Sequence, residues 1–408
     1  MTVNIDQCGN PSNTIYAIRV NGGGFVDQYI QASGTVAATS VYQATSSWTN
    51  NVYVTGLSTN TQYTFDILAK NGDGIIATSA CSQKYTLAST PGKPSLYVLG
   101  ATSMTININP NTNSVDTVYA IRVTTNEIDY QYVQMYGNLG DDAVYQTSTI
   151  WQTRAIVDLS SNKQYRFDVQ AKNGDGIKTL FSPSFQQYTL ANIPGAPNLY
   201  VMGTTSMTIE IDPNNNSSDI TYAIRINGGG YANEYVQAQG TVAPEAVYQT
   251  TSTWTQYIIG LSTNTQYTLD VVAMNQDGFL TSFSASKKRY TLANRPDAPS
   301  LFNVGITSIT VDVKSNDNPV NTVYAIRIST NMEGGSWKWV QIDGSIGSSA
   351  YYQTDSDWGT KPVINLCPNT QYRFDVQARN GDGIDTVYSS TSQAVTNVEP
   401  VGAPILYV

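Results

Sequence analysis

Apolar and polar residues alternate along most of the chain, which is the pattern of β-strands that bury one face. In Met104–Asn109 every second residue is Met or Ile, and the residues between them are Thr or Asn. The same alternation occurs at 119–123 and 165–171. No stretch of similar length has a helical period, and segments rich in Asn and Gly, such as 173–176, separate the strands. The pattern predicts an all-β protein.

These strands belong to a repeat of about 103 residues, which recurring residues mark. Tyr-Ala-Ile-Arg begins at Tyr16, Tyr119, Tyr222 and Tyr324. A tryptophan follows at Trp48, Trp151, Trp254 and Trp358, and a tyrosine three residues before an aspartate occurs at Tyr63, Tyr165, Tyr267 and Tyr372. Asn-Gly-Asp-Gly, or Asn-Gln-Asp-Gly in the third repeat, begins at Asn71, Asn173, Asn275 and Asn380. About seven strands in about 100 residues are typical of a Greek-key β-sandwich, so four tandem sandwiches are expected.

The segment Gly56–Tyr63 and the alternating residues after it, Phe65, Ile67 and Ala69, resemble the corner between strands E and F of fibronectin type III domains. The segment recurs before Tyr165, Tyr267 and Tyr372. The resemblance covers essentially the whole chain and implies a sandwich whose corner tyrosine bonds through its hydroxyl to the backbone upstream. It implies little about function, because this fold serves many roles. One departure is that the family's tryptophan in strand B is missing, and the recurrent tryptophan lies near strand E instead.

The repeat places domain boundaries at proline-containing linkers. We expect fibronectin type III-like domains at residues 1–88, 89–191, 192–293 and 294–398, followed by a linker and strand at 399–408. By analogy with the family, the apolar segment that opens each repeat after the first is strand A. Strand B then begins at Met104, Met207 and Ile309.

The sequence begins and ends at an unusual phase of the repeat. Met1–Ile5 corresponds to strand B at 104–108, so domain 1 is expected to lack strand A, and 399–408 carries a strand A without a domain. The predicted acceptor strand is Met1, Val3 and Ile5, and the predicted donor strand is Ile405, Leu406, Tyr407 and Val408.

Three explanations of this phase are open: the sequence is a piece of a longer tandem protein, subunits exchange the strand, or domain 1 tolerates its loss. The third is disfavoured, because burying three apolar side chains contributes about 1.5–3 kcal/mol each. That sum is comparable with the whole stability of a domain, about 5–15 kcal/mol.

The composition argues against several function classes. The chain has no histidine, which rules out His-dependent triads and imidazole metal ligands. The net charge of −9 argues against nucleic-acid binding, and no apolar run approaches the ~18 residues that membrane insertion requires. Asn-Gly-Asp-Gly resembles part of a calcium loop but lacks its further acidic residues, so a turn between strands F and G explains it better. We therefore expect no enzyme activity, no metal and no cofactor.

Three cysteines favour a covalent contact between subunits. We expect Cys8 and Cys81 at the end where the chain enters domain 1, and Cys367 at the opposite end of domain 4. Head-to-tail stacking would then bring Cys367 near Cys8 or Cys81. A Cys8–Cys81 bridge within domain 1 is the alternative.

Together these features predict a structural subunit of an extracellular filament or cell-surface fibre, with copies of itself as the partner. The alternative is an adhesin or a phage tail or receptor-binding protein that contacts surface glycans or a host receptor. Repeat 4 departs most from the others through an inserted segment at 332–339. Its Trp337 and Trp339 are the candidate ligand contacts, since exposed tryptophans stack on sugars and partner surfaces.

Overall fold

The computed structural model of the protein describes residues 1–48, 51–152, 154–254, 256–330 and 336–405. These residues form two compact units. The first comprises described residues between 1 and 190 together with 275–277, and the second comprises the rest. The prediction of an all-β fold is confirmed, because nearly all regular structure is strand. The four predicted domain boundaries stay predictions.

Repeat 1 contains one larger and one smaller antiparallel sheet. Its strands are β1 (Thr2–Val3), β2 (Ile15–Gly22), β3 (Phe25–Ile30), β4 (Val36–Ala37), β5 (Gln43–Ala44), β6 (Val52–Tyr53), β7 (Gln62–Lys70), β8 (Ile76–Thr78) and β9 (Ser82–Tyr85). The larger sheet has the order β4-β3-β2-β7-β8, with β5 against β2 and β9 against β7. The smaller sheet pairs β1 with β6.

Repeat 2 has the same larger sheet but a different smaller one. Its elements are β10 (Gly92–Val98), β11 (Met104–Asn109), β12 (Val118–Thr124), β13 (Gln131–Val133), β14 (Leu139–Gly140), β15 (Gln146–Thr147), α1 (Ser148–Gln152), β16 (Ala155–Ile156), β17 (Gln164–Lys172), β18 (Lys178–Phe181) and β19 (Phe185–Tyr188). The smaller sheet has the order β10-β11-β16. Strand β10, which corresponds to strand A, thus makes this sheet three-stranded.

Repeats 3 and 4 also have a three-stranded smaller sheet, β20-β21-β25 in one and β28-β29-β34 in the other. Repeat 3 contains β20 (Asn198–Val201), β21 (Ser206–Glu210), β22 (Thr221–Gly228), β23 (Tyr231–Val236), β24 (Val242–Ala243), β25 (Tyr257–Ile259), β26 (Gln266–Met274) and β27 (Lys287–Tyr290). Repeat 4 contains β28 (Asp297–Phe302), β29 (Ile309–Lys314), β30 (Val323–Thr330), β31 (Lys338–Val340), β32 (Ile346–Gly347), β33 (Gln353–Thr354), α2 (Asp355–Trp358), β34 (Thr360–Val363), β35 (Gln371–Arg379) and β36 (Ser392–Val395).

The recurrent tryptophan is buried in the core of every repeat. Its indole Nε1–H donates to the carbonyl oxygen of the tyrosine that opens Tyr-Ala-Ile-Arg, at 2.7 to 3.0 Å. The pairs are Trp48 with Tyr16, Trp151 with Tyr119, Trp254 with Tyr222, and Trp358 with Tyr324. A buried donor is thereby satisfied, and the segment before strand E is tied to the central strand of the larger sheet.

The corner tyrosine that the family resemblance implies is confirmed. In each repeat its hydroxyl accepts a hydrogen bond of 2.8 to 2.9 Å from the backbone N–H five residues upstream. The pairs are Ser58 with Tyr63, Ser160 with Tyr165, Ser262 with Tyr267, and Cys367 with Tyr372. This bond holds the turn that leads into the longest strand of the sandwich.

Candidate assembly surfaces

An open groove runs along the first strand of repeat 1. Its volume is about 430 Å³, and residues 1–4 line one side while 82–84 line the other. Phe65 and Ile67 of β7 also line the groove. The groove therefore lies between the strand that corresponds to strand B and the last strand of the repeat, β9.

In repeat 2 the corresponding space is filled by strand A. Strand β10 pairs with β11 in antiparallel register, with Leu96 opposite Ile106, and it also contacts β19. Leu96 of β10 is buried in the core, and the inward side chains of β11 are 0 to 2% exposed. Strand A thus closes the core on the side that is open in repeat 1.

The core side chains of repeat 1 are correspondingly less covered. The predicted acceptor residues Met1, Val3 and Ile5 are only partly buried. Ile67, at the position of the fully buried Val169, is also partly buried. These residues lie on the side that strand A covers in repeat 2, so the groove has the position that strand A occupies there.

The predicted donor segment lies at the far end of the sequence. Ile405 is 77% exposed. Leu406, Tyr407 and Val408 lie outside the described residues. Segment 402–408 reads Gly-Ala-Pro-Ile-Leu-Tyr-Val, and segment 195–201, which includes β20 of repeat 3, reads Gly-Ala-Pro-Asn-Leu-Tyr-Val.

Repeats 1 and 2 of the first unit meet at a polar joint. Its rear half, on repeat 1, comprises Asn60, Tyr85 and Thr86, and its front half, on repeat 2, comprises Thr117 and the turn 173–175. Asn60 Nδ2 donates to Thr117 Oγ1 at 2.8 Å, and Asn60 Oδ1 accepts from the Gly174 N–H at 2.9 Å. Asn173 Nδ2 donates to the Thr86 carbonyl at 3.0 Å, and the Tyr85 N–H donates to Asp175 Oδ2 at 3.0 Å.

The same joint recurs in the second unit, between repeats 3 and 4. Asn264 donates to Thr322 at 2.7 Å and accepts from the Gly381 N–H at 2.9 Å. The two hydrogen bonds of the turn also recur. Asn380 Nδ2 donates to the Thr291 carbonyl at 3.0 Å, and the Tyr290 N–H donates to Asp382 Oδ2 at 2.9 Å. The turn expected from Asn-Gly-Asp-Gly is present in both units, and it is also the contact between adjacent repeats.

In both of these joints the tyrosine ring of the rear half packs directly on the glycine at the second position of the turn. A Cβ at Gly174 would lie 2.4 Å from the ring of Tyr85, and a Cβ at Gly381 would lie 2.4 Å from the ring of Tyr290. A cation of the same strand also lies near the aspartate, Lys84 in the first unit and Arg289 in the second.

An arginine and an aspartate, each part of a recurring segment, form a cross-strand ion pair in each repeat. The guanidinium donates through both Nε and Nη2 to the carboxylate, at 2.6 to 3.0 Å. The pairs are Arg19–Asp66, Arg122–Asp168, Arg225–Asp270 and Arg327–Asp375. The hydrogen bond that Arg122 donates to Asp168 raises the pKa of Arg122 above its ordinary value. Sequence reasoning found both residues but not their pairing, although their similar spacing, 45 to 48 residues, was a usable signal.

Comparison with curated proteins gives two distant relatives. The chain is 26% identical over 333 residues to receptor-type tyrosine-protein phosphatase eta of Gallus gallus, a match that covers 81% of the chain and 20% of that protein. It is 24% identical over 387 residues to tyrosine-protein phosphatase Lar-like of Caenorhabditis elegans, covering 86% of the chain and 16% of that protein. The chain thus spans a fifth or less of the length of these relatives. No family model matches it.

Solved structures with similar folds include two multidomain fragments. The FN1–FN3 domains of chicken CNTN1 are 17% identical, with a TM-score of 0.26, and the match covers 75% of this chain and 99% of that one. A two-domain fibronectin type III segment of chicken tenascin is 13% identical, with a TM-score of 0.30, covering 50% of this chain and 99% of that one. The chain is a tandem array of fibronectin type III-like repeats.

The three cysteines are free and exposed. Cys8 lies in the loop between β1 and β2, at the end of the first fibronectin type III-like repeat where the chain enters, and Cys367 lies at the opposite end of the fourth. The predicted position of Cys81 is corrected: it lies between β8 and β9, whose residues Thr78 and Ser82 pair with Leu68 and Phe65. Cys81 therefore lies opposite the middle of β7 and away from the turn, because each strand residue advances the chain by about 3.3 Å.

Trp337 and Trp339 pack against their own fibronectin type III-like repeat. The guanidinium of Arg327 lies between the rings of Trp337 and Tyr388, at 3.8 and 3.5 Å from their centroids. The rings of Trp339 and Tyr388 are 6.1 Å apart. Half of the inserted segment, 332–335, lies outside the described residues. A role of these tryptophans in ligand contact stays a prediction.

No helix in the described part of the chain has the length and apolar character to cross a membrane. The described residues also contain no cluster of three or more His, Cys, Asp or Glu side chains placed to hold a metal ion.

Proposed function

We propose that the chain is a structural subunit of an extracellular or cell-surface filament that assembles head to tail. Residues 405–408 of one copy fill the groove of repeat 1 in the next copy. The observation that carries this proposal is the groove itself, which lies where strand A packs in repeat 2. We assign the 408 residues a structural role and no catalytic one.

The register of the donor strand follows from repeat 3, whose segment 195–201 differs from 402–408 at one position. There Leu199 lies opposite Ile209, and Val201 lies opposite Met207. The same register places Leu406 opposite Val3 and Val408 opposite Met1.

This register divides the donor side chains between the two faces of the sheet. Leu199 is 8% exposed and the next residue, Tyr200, is 53% exposed. In the proposed filament Leu406 is therefore buried in the groove, and Tyr407 faces solvent.

The energetics favour a filled groove. Burying a leucine side chain contributes about 1.5–3 kcal/mol, and each ladder hydrogen bond adds about 1 kcal/mol. A strand edge left unpaired is also a site of unwanted pairing, which proteins normally cover. Because donor and acceptor are different surfaces of the subunit, the contact is heterologous, and its repetition without closure generates an open filament.

A pair of adjacent substitutions tests the proposal in the 408-residue chain. Leu406→Asn places an amide in the apolar groove and is expected to abolish fibres in electron microscopy and sedimentation. Tyr407→Asn is the matched control, because its side chain faces solvent, and it should assemble like the parent chain. Fibres of unchanged length from Leu406→Asn would contradict the proposal.

A further inference from the structure

The internal joints have open counterparts at the two ends of the chain. The front half of repeat 1 consists of Thr14, at the position of Thr117, and the turn Asn71-Gly72-Asp73-Gly74. All four residues of this turn are exposed. The rear half of repeat 4 consists of Asn369, at the position of Asn60, with the strand end at 395–396. Both halves repeat the chemistry of a joint that is closed elsewhere in the chain.

The rear half of repeat 4 already has the backbone geometry of a closed joint. Asn369 has φ 47°, and Asn60 also has φ 47°. The Asn369 N–H donates to the Asn397 carbonyl at 3.2 Å, as the Asn60 N–H donates to the Leu87 carbonyl at 3.1 Å. The Asn60 side chain is buried in its joint, whereas Asn369 is exposed. The backbone that carries the side chain expected to bind a front half therefore already has the conformation of a closed joint.

We infer that the rear half of repeat 4 in one copy binds the front half of repeat 1 in the next copy, and that this contact aligns Cys367 with Cys8 for an intermolecular disulfide. The inference rests on the proposed filament. It is compatible with the donor strand, because in repeat 2 strand A follows directly from the linker that crosses the internal joint.

The alignment of the cysteines follows from a contact of the first unit. Thr59 Oγ1 donates to the Thr112 carbonyl at 2.6 Å across the joint. The residues that precede this pair are Ser58 and Asn111. Cys367 occupies the position of Ser58, since both N–H groups donate to the corner tyrosine.

Cys8 occupies the position of Asn111 in the same type of turn. The Cys8 N–H donates to Asp6 Oδ1 at 2.9 Å, and the Asn111 N–H donates to Asn109 Oδ1 at 3.1 Å. Both residues have a left-handed backbone, with φ 48° at Cys8 and φ 56° at Asn111. Each cysteine therefore lies one residue from a position that touches its partner across the joint of the first unit, although Pro368, at the position of Thr59, has no hydroxyl to donate. Cys81, opposite the middle of β7, has no such position.

The joint between copies also differs from the internal ones. Val395 stands where Tyr85 and Tyr290 pack on glycine, and Ala394 stands where Lys84 and Arg289 approach the aspartate. The joint thus loses a ring contact and a cation. A disulfide compensates for that loss.

Oxidation of the cysteine pair needs an acceptor for two electrons. A small-molecule disulfide supplies it by thiol–disulfide exchange: one cysteine thiolate attacks it, and the second cysteine displaces the remaining small thiol. The S–S bond of the small molecule breaks, the Cys8–Cys367 bond forms, and the two small thiols carry away both protons and both electrons.

Three single serine variants of the 408-residue chain test the inference in a buffer of reduced and oxidised glutathione. Cys81→Ser is expected to give a ladder of oligomers in non-reducing electrophoresis, with a Cys8–Cys367 peptide in mass spectrometry. Cys8→Ser and Cys367→Ser should lose the ladder. Under reducing conditions Asn369→Gly, which keeps the left-handed backbone, should raise the protein concentration needed for assembly about tenfold, because two hydrogen bonds are lost.

The possible results separate this inference from the filament proposal. A ladder that survives Cys8→Ser and disappears in Cys81→Ser overturns the pairing. If Cys81→Ser forms fibres but gives no ladder, the proposed disulfide is wrong and the filament proposal stands. Absence of both fibres and ladder in every variant and in the parent chain overturns the filament and the inference together.

Discussion

Tyr324 gives repeat 4 a pH-dependent stability. Its hydroxyl donates to the Ser315 carbonyl at 3.4 Å, and burial raises its pKa from 10.0 to about 12. A pKa that is raised in the folded state adds stability below the unfolded value, and this stability is lost as pH rises through the folded value. We therefore expect repeat 4 to lose stability between about pH 10 and 12.

The variant Tyr324→Phe checks this expectation, because it keeps the ring and removes the ionisable group. Its stability, followed by hydrogen exchange in β30 as pH rises, should fall less steeply than that of the parent. Part of the dependence of stability on pH should remain in the variant, because burial and Asp385 also raise the pKa of Tyr352 to about 12. Identical slopes in variant and parent would show that Tyr324 does not carry the effect.

Individual residues could be predicted where the sequence itself supplies the partner. The corner tyrosine was predicted from the resemblance to fibronectin type III domains, and its partner is local, because the hydroxyl accepts from backbone only five residues upstream. The Arg122–Asp168 pair was missed, because it depends on the register of two strands that are 46 residues apart. Register follows from side-chain packing across the sheet, which a single sequence does not display directly.

At the scale of elements, strands were predictable and contacts between repeats were not. Alternation identifies a strand such as Met104–Asn109, since it reports directly which face is buried. The turn at 173–176 has the composition of any tight turn, so its sequence does not reveal that Asn173 binds the Thr86 carbonyl of the preceding repeat. The groove of repeat 1 was inferred because a whole strand was absent from the repeat pattern.

Asn264 is expected to hold the joint between repeats 3 and 4 closed. Asn264→Gly keeps the backbone conformation, φ 41°, and removes the bonds to Thr322 and Gly381. A buried donor and acceptor left unpaired destabilise a contact by about 1–3 kcal/mol. Faster hydrogen exchange at the Gly381 amide is the expected result.

The matched control for this variant is Asn369→Gly in a chain that lacks residues 399–408. The substitution is the same and so is the backbone conformation, but the rear half of repeat 4 is open. Exchange at the Gly381 amide should stay at the parent rate. Equal acceleration in both variants would mean that glycine loosens a repeat generally and that the joint is not the cause.

At the scale of the molecule, the proposed filament treats the groove and the donor segment as complementary parts of one sandwich. The sequence predicted this complementarity from the phase of the repeat alone. The groove of repeat 1 and its partly buried core support it physically, because they leave apolar surface of β1 and β7 uncovered. A short peptide should therefore be able to occupy the groove.

A peptide with the sequence of residues 399–408 should cap growing filaments. It competes with the tail of the incoming subunit for the same groove, so fibre length should fall as peptide concentration rises. A peptide with Leu406→Asn has the same length and charge but a polar group at the buried position, and it should have little effect. Equal shortening by both peptides, measured by electron microscopy, would point to nonspecific binding and would remove the support for donor-strand assembly.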